Sequence, residues 1–280
     1  MATIDLPGGT IKYRVAGPED SSAPPVVFVH GFLVDGTLWS GVTADLAKQG
    51  IRSYAPDWPL GSHTIALHDD ADQTPRGVAR RVISFLEALD LEDVTLVGND
   101  TGGAICQFVV DTDTSRVGRV VLTNCDAFDQ FPPAPFDRMF KMGRRKWVLN
   151  AAMKPMVIKR LRHSSQGYGA LVAKPLDPSQ TRKWVEPCLH DAGVRRDTSR
   201  FLRAVDPQEL LAVSNRLGAF DAPALLMWGA ADPFFKVDFA RRLQEQFKDA
   251  RLVEVPGGRT FIPLDEPTRV ADEIASFVSV

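Results

Sequence analysis

Six residues, Gly98-Asn99-Asp100-Thr101-Gly102-Gly103, constrain this chain more than any other stretch. They directly follow a strand-like run, Val94-Thr95-Leu96-Val97, and open an apolar, helix-like run from Ala104 to Val110. Small residues on both sides of a central Asp suit a sharp strand-to-helix turn, whose middle residue is strained and whose neighbours are tightly packed. Such a turn exposes the central side chain at the carboxyl edge of a sheet and aims a helix N-terminus at it. A plain glycine-rich turn with an acidic helix N-cap would use the same residue types.

The flanking sequence favours the first alternative. Thr10 to Val15 alternates polar and apolar residues, as a half-buried antiparallel strand does. Val26 to Val29 is a continuous apolar run, expected of a parallel strand covered on both faces. Further strands are expected over 51–55, 117–123, 224–229 and 251–255. Val78, Val82, Phe85, Leu86 and Leu89 recur at helical spacing, as do Val270, Ile274 and Phe277 near the end. Alternation of this kind predicts an α/β fold, a mostly parallel sheet with helices on both sides. The breaker cluster Phe131-Pro132-Pro133-Ala134-Pro135 marks the exit into an internal segment with its own character.

Two more strand ends carry chemistry. Val29-His30-Gly31-Phe32 offers the Phe32 backbone N–H beside that of Thr101, a pair suited to holding a developing oxyanion. Gly229-Ala230-Ala231-Asp232-Pro233 ends a late strand with a carboxylate. Together the three motifs resemble the α/β-hydrolase superfamily, and the Asp-x-Gly-Gly elbow is similar to haloalkane and haloacid dehalogenases and epoxide hydrolases. The resemblance implies an eight-stranded sheet, with 1–127 and 219–280 as the core and 128–218 as an inserted helical cap. It also implies that Asp100 attacks carbon to form an alkyl-enzyme ester, with Phe32 and Thr101 as the oxyanion hole and Asp232 as the acid of the triad. Asp126, after the preceding strand, is the alternative acid.

The chain departs from that pattern where the ester would be hydrolysed. The loop expected to carry the base His reads Pro256-Gly257-Gly258-Arg259-Thr260-Phe261, which puts Thr260 in its place. Threonine cannot accept a proton near neutral pH. Of the five histidines, His30 lies in the oxyanion loop, where turn packing is its ordinary role. His63 and His68 follow a strand-end loop, and a replacement base is expected from His63 or from the cap, whose His163 and His190 otherwise lie on the surface. Trp39 is one of several tryptophans whose indole N–H is a candidate leaving-group donor, with core packing the alternative. Only Tyr168 among three tyrosines falls in the cap, so a two-tyrosine epoxide site cannot be assembled. Arg259 is expected either to pair with Asp126 or Asp232, or to leave two carboxylates facing one cavity, where each raises the other's pKa.

Charge adds one expectation. From Phe128 to Gly218 there are 17 Lys+Arg and 8 Asp+Glu, against 16 and 27 elsewhere. A net −2 overall thus divides into a cap of +9 on a core of −11. Basic helix faces in solvent are one account; cap arginines pointing into the cleft, selecting an anionic substrate, are the other. The acidic core speaks against nucleic acid as a partner. No apolar run is long enough to span a bilayer, no secretory signal opens the chain, and three scattered cysteines suit a reducing, cytoplasmic setting. No metal-ligand spacing or cofactor motif is present, oligomeric state is unspecified, and a small-molecule substrate is the expected partner. The expected function is therefore an atypical dehalogenase-like hydrolase. The alternatives are a lyase, isomerase or cyclase using Asp100 as acid and base, and a catalytically silent ligand-binding homologue.

Overall fold

A computed structural model describes residues 1–279. Eight strands, β1 (Ala2–Leu6), β2 (Gly9–Ala16), β3 (Val26–Val29), β4 (Ser53–Pro56), β5 (Val94–Asp100), β6 (Val117–Cys125), β7 (Ala224–Gly229) and β8 (Ala250–Val255), form one sheet in the order β1-β2-β4-β3-β5-β6-β7-β8. The β1/β2 and β2/β4 pairs are antiparallel and all others are parallel. All four residues of β3 are buried, as are all six of β7, because side chains alternate in direction and both sheet faces are covered.

The expected alternation is present, with one addition. β1 was not evident in the sequence: it is a short edge strand with partly exposed residues, joined to β2 through Pro7-Gly8. Gly8 adopts φ +88°, a left-handed conformation that glycine takes without a Cβ penalty. Helices α1 (Ser40–Lys48), α2 (Pro75–Ala88) and α3 (Thr101–Thr112) follow β3, β4 and β5. Between β6 and β7 run α4 (Phe136–Gly143), α5 (Lys146–Met153), α6 (Lys159–Arg162), α7 (Pro178–His190), α8 (Ala192–Ala204) and α9 (Pro207–Ser214). Helices α10 (Val237–Gln246), α11 (Ile262–Asp265) and α12 (Pro267–Val278) complete the chain. α9 packs against α3, and Ser214 Oγ donates to Gln107 Oε1 at 2.7 Å, so the segment re-joins the sheet-flanking helices before β7 begins.

This topology positions the site. From β3 the chain crosses to β4 on one side and then to β5 on the other, so the order reverses at the carboxyl ends of β3 and β5. Loops leaving adjacent strands in opposite directions open a crevice at such a point. The loop after β3 carries His30 to Phe32, and β5 ends on Asp100. Among the described residues no helix is long and apolar enough to cross a membrane.

Candidate active site

Asp100 sits at φ 54°, ψ −130°, the strained conformation expected at the apex of the β5–α3 turn. The turn is possible only because its neighbours lack side chains. A Cβ on Gly102 would overlap the Val29 and His30 carbonyls, and one on Gly31 would overlap the Asp100 carboxyl itself. That close approach brings the Phe32 N–H to 3.1 Å from Asp100 Oδ2. Burial dominates the electrostatics and pushes Asp100 up to about 7, against the pull of N–H donors from Phe32 and Thr101 and with a smaller push from Asp232. Asp100 is thus poised to exchange a proton near neutral pH.

The other two carboxyls have different surroundings. Asp232 is satisfied on both oxygens: Oδ1 accepts from the Phe234 and Phe235 N–H groups at 2.8 and 3.1 Å, and Oδ2 accepts from Asn124 Nδ2 at 2.8 Å and Thr260 Oγ1 at 2.9 Å. Burial raises its pKa and those donors oppose the rise. Asp126 is fully buried; its Oδ2 accepts from Thr101 Oγ1 at 3.1 Å and its Oδ1 has no partner. Burial, with a smaller push from Asp100, holds Asp126 well above the usual carboxylate range.

Thr260 therefore occupies the position facing Asp232 and uses its hydroxyl there, while its carbonyl accepts from Asn99 Nδ2 at 2.7 Å. No imidazole takes its place. The two rings named as candidates are committed elsewhere. His30 Nε2 accepts from the Trp58 N–H at 2.7 Å, so Nδ1 carries the proton and donates to the Gly31 carbonyl at 2.9 Å. Burial lowers its pKa and keeps the ring neutral. His63 faces Asp197, 3.5 Å from Nε2 to Oδ2, and does not border the cavity beside Asp100.

Packing decides three points that the sequence left open. Trp39 is fully buried, stacked on Phe28 with ring centroids 4.6 Å apart, and reaches no ligand space. Arg259 pairs with neither Asp126 nor Asp232; its guanidinium donates to the Val172 carbonyl at 3.2 Å. The basic charge of residues 128–218 does not enter the cleft. The cavity of about 300 Å³ beside Asp100 is walled by Phe32, Phe136, Met139, Phe140, Met153 and Phe235, among other apolar residues, and no Lys or Arg lines it. Short basic runs such as Arg144-Arg145-Lys146 are exposed instead. An anionic substrate has no counter-charge here.

Residues that the sequence did not single out complete the site. Asn124 joins β6 to Asp232. Tyr168, known only as the cap's one tyrosine, lines the cavity and donates its hydroxyl to the Leu33 carbonyl; burial chiefly holds its pKa far above normal. Asp265 is buried and collects N–H groups from Ala173, Lys174 and Arg259, fastening the 171–174 turn to the loop that carries Thr260. An Asp two residues after a helix-opening Ile-Pro gave that clasp no distinctive local signature. Among the described residues, no three His, Cys, Asp or Glu side chains converge as metal ligands.

Comparison with known proteins agrees with the fold. A family model described as alpha/beta hydrolase fold matches residues 24–267. The chain is 25% identical over 281 residues to haloalkane dehalogenase 2 of Mycobacterium tuberculosis, covering 93% of this chain and 90% of that protein. It is 24% identical over 275 residues to an uncharacterized protein of the same organism, covering 95% and 77%. The crystal structure of haloalkane dehalogenase DbeA from Bradyrhizobium elkani superposes with a TM-score of 0.79 at 18% identity, covering 99% of this chain and 97% of that one.

Proposed function

Because the chain belongs to the alpha/beta hydrolase fold family, we propose that it binds a small, uncharged, mainly apolar molecule beside Asp100 and moves a proton on it. Asp100 acts as base and then as acid. One observation carries this reading: the partner of Asp232 is a threonine hydroxyl, and no imidazole faces either carboxyl. An ester cycle needs a base to activate water. Proton transfer needs only a carboxyl that titrates near neutral pH, in a site where apolar walls keep water away.

In this mechanism the Phe32 N–H holds Oδ2 and fixes the carboxyl plane. The other oxygen takes a proton from an activated C–H or O–H of the substrate. Returning that proton at a second atom is an isomerisation; giving it to a departing group is an elimination. Asp126 holds the Thr101 hydroxyl and does not line the cavity, so the substrate meets one carboxyl there. The segment 128–218 serves as the cap, supplying Met139, Phe140 and Met153 to the walls.

A second reading has its own support. The Phe32 N–H on Oδ2 is also the donor an ester carbonyl would need, and relatives named as haloalkane dehalogenases and an epoxide hydrolase share the family. With Thr260 in place of a base, an alkyl ester on Asp100 would persist. Intact-mass measurement after incubation with haloalkanes and epoxides separates the two. A stable adduct on the wild type, absent from Asp100→Asn, overturns the proton-transfer reading. Deuterium uptake from D2O into uncharged ketones, enones or allylic compounds, lost in Asp100→Asn and without any adduct, supports it.

A further inference from the structure

The run from Met142 to Leu161, from the end of α4 through α5 into α6, has a composition not repeated elsewhere among the described residues. Seven large apolar residues are exposed among the described residues, and five of them, Met142, Trp147, Val157, Ile158 and Leu161, fall within one run of twenty. Trp147 is 70% exposed, whereas Trp39, Trp58, Trp184 and Trp228 are fully buried. The same run is strongly basic. From Arg138 to Leu176 there are ten Lys+Arg and no Asp or Glu. Lys141 pairs with Asp137 and Lys174 with Glu266, but Arg145, Lys146, Lys154, Lys159 and Arg160 make no ion pair among the described residues. The buried Arg162 is different, spending its guanidinium on Thr181 and on the Met156, Val157 and Pro178 carbonyls.

We propose that this face docks on an anionic lipid surface, with Trp147, Ile158 and Leu161 entering the interfacial layer and the flanking lysines and arginines meeting lipid phosphates. Exposed apolar side chains interleaved with cations, and a tryptophan among them, match the two contributions a bilayer interface offers: apolar burial and attraction to anionic headgroups. The same charge excludes the competing occupants. A second copy docked through this face would bring two acid-free basic surfaces together, a like-charge contact that costs affinity. A nucleic acid would satisfy the cations and leave Val157, Ile158 and Leu161 without an apolar partner. The docking concerns a surface and stands independently of the reaction proposed for Asp100. It also differs from spanning a membrane, which needs an apolar helix of about 20 residues.

The tryptophan distribution makes the test direct. With four indoles buried and one exposed, quenching of fluorescence by acrylamide reports Trp147. Wild-type protein is mixed with vesicles of phosphatidylcholine alone, or of phosphatidylcholine with phosphatidylglycerol, then sedimented and quenched. The expected result is sedimentation with the anionic vesicles only, loss of acrylamide quenching on binding, and weakening by added salt. Lys159→Gln and Arg160→Gln should each reduce binding about fivefold, the equivalent of about 1 kcal/mol per cation. Trp147→Ser with Ile158→Ser, both at exposed positions that leave the fold intact, should weaken it further at high salt, where the apolar part dominates. No binding to anionic vesicles overturns the proposal. So does binding that the serine variant leaves unchanged, which would be charge adsorption without insertion, and so does a salt-resistant dimer lost in the serine variant.

Discussion

Replacing Asp100 with Asn should stabilise this protein, by an amount set by pH. In the folded chain burial keeps Asp100 protonated up to about 7, against an ordinary 3.8. A carboxyl raised in the folded state binds more protons folded than unfolded between those two values, so its contribution to stability falls as pH rises through the interval. Each pH unit of the interval is worth about 1.4 kcal/mol, and the whole interval on the order of 4 kcal/mol. Asn keeps the shape, accepts the Phe32 N–H and carries no charge. The advantage of Asp100→Asn over wild type should therefore be near zero below 3.8, climb with pH, and level off above about 7. At roughly 2–4 °C per kcal/mol for a chain of this size, the plateau corresponds to a melting-temperature gap of up to about 8–15 °C. Thermal denaturation of both proteins between about pH 4 and 9 measures it, acid losses elsewhere being common to the pair. A gap independent of pH, or a variant that melts lower at alkaline pH, would refute the argument that Asp100 is an isolated buried charge.

Other substitutions probe the remaining contacts. Thr260→Val keeps the shape but removes one of four donors from Asp232; urea denaturation should show a loss of about 1–2 kcal/mol, larger at alkaline pH where Asp232 is ionised. Thr260→His places an imidazole beside Asp232 at the cost of about 1–3 kcal/mol of overpacking, and haloalkanes should still release no halide; halide release would favour the ester reading. Gly31→Ala drives a methyl into the Asp100 carboxyl, so turnover or ligand protection should be lost while far-UV circular dichroism is kept. Asp265→Ala leaves N–H groups of Ala173, Lys174 and Arg259 without their acceptor, and should make the segment 128–218 cleave at least several-fold faster in limited proteolysis.

The parts of the site that were legible in the sequence are those whose causes are local. The elbow's six residues state their own steric needs, and the His-Gly-Phe and Ala-Asp-Pro stretches sit at strand ends that hydrophobic pattern locates. Thr260 was found through the resemblance, by aligning Phe261 with the aromatic that follows the base His in those families. What was not legible depends on contacts across the fold. Whether Trp39 faces a ligand or Phe28, and whether Arg259 turns to a carboxylate or to the Val172 carbonyl, is decided by packing between segments far apart in the chain. The charge of residues 128–218 could be counted but not aimed. Helices α4, α5, α6 and α9 have eight residues or fewer, too few turns for a periodic pattern to separate an inner face from an outer one.

The Asp265 clasp has a mechanical consequence. One carboxylate holds three amides from two segments, and Phe261 N–H adds a bond to the Leu171 carbonyl at 2.8 Å. The turn at residues 171–174 is thereby fastened to the loop that carries Thr260. The segment 128–218 is tied down elsewhere as well, Trp184 Nε1 donating to Asp35 at 3.0 Å and the Leu67 N–H to Asp197 at 2.8 Å, so separating it from the sheet would break polar contacts on several sides at once.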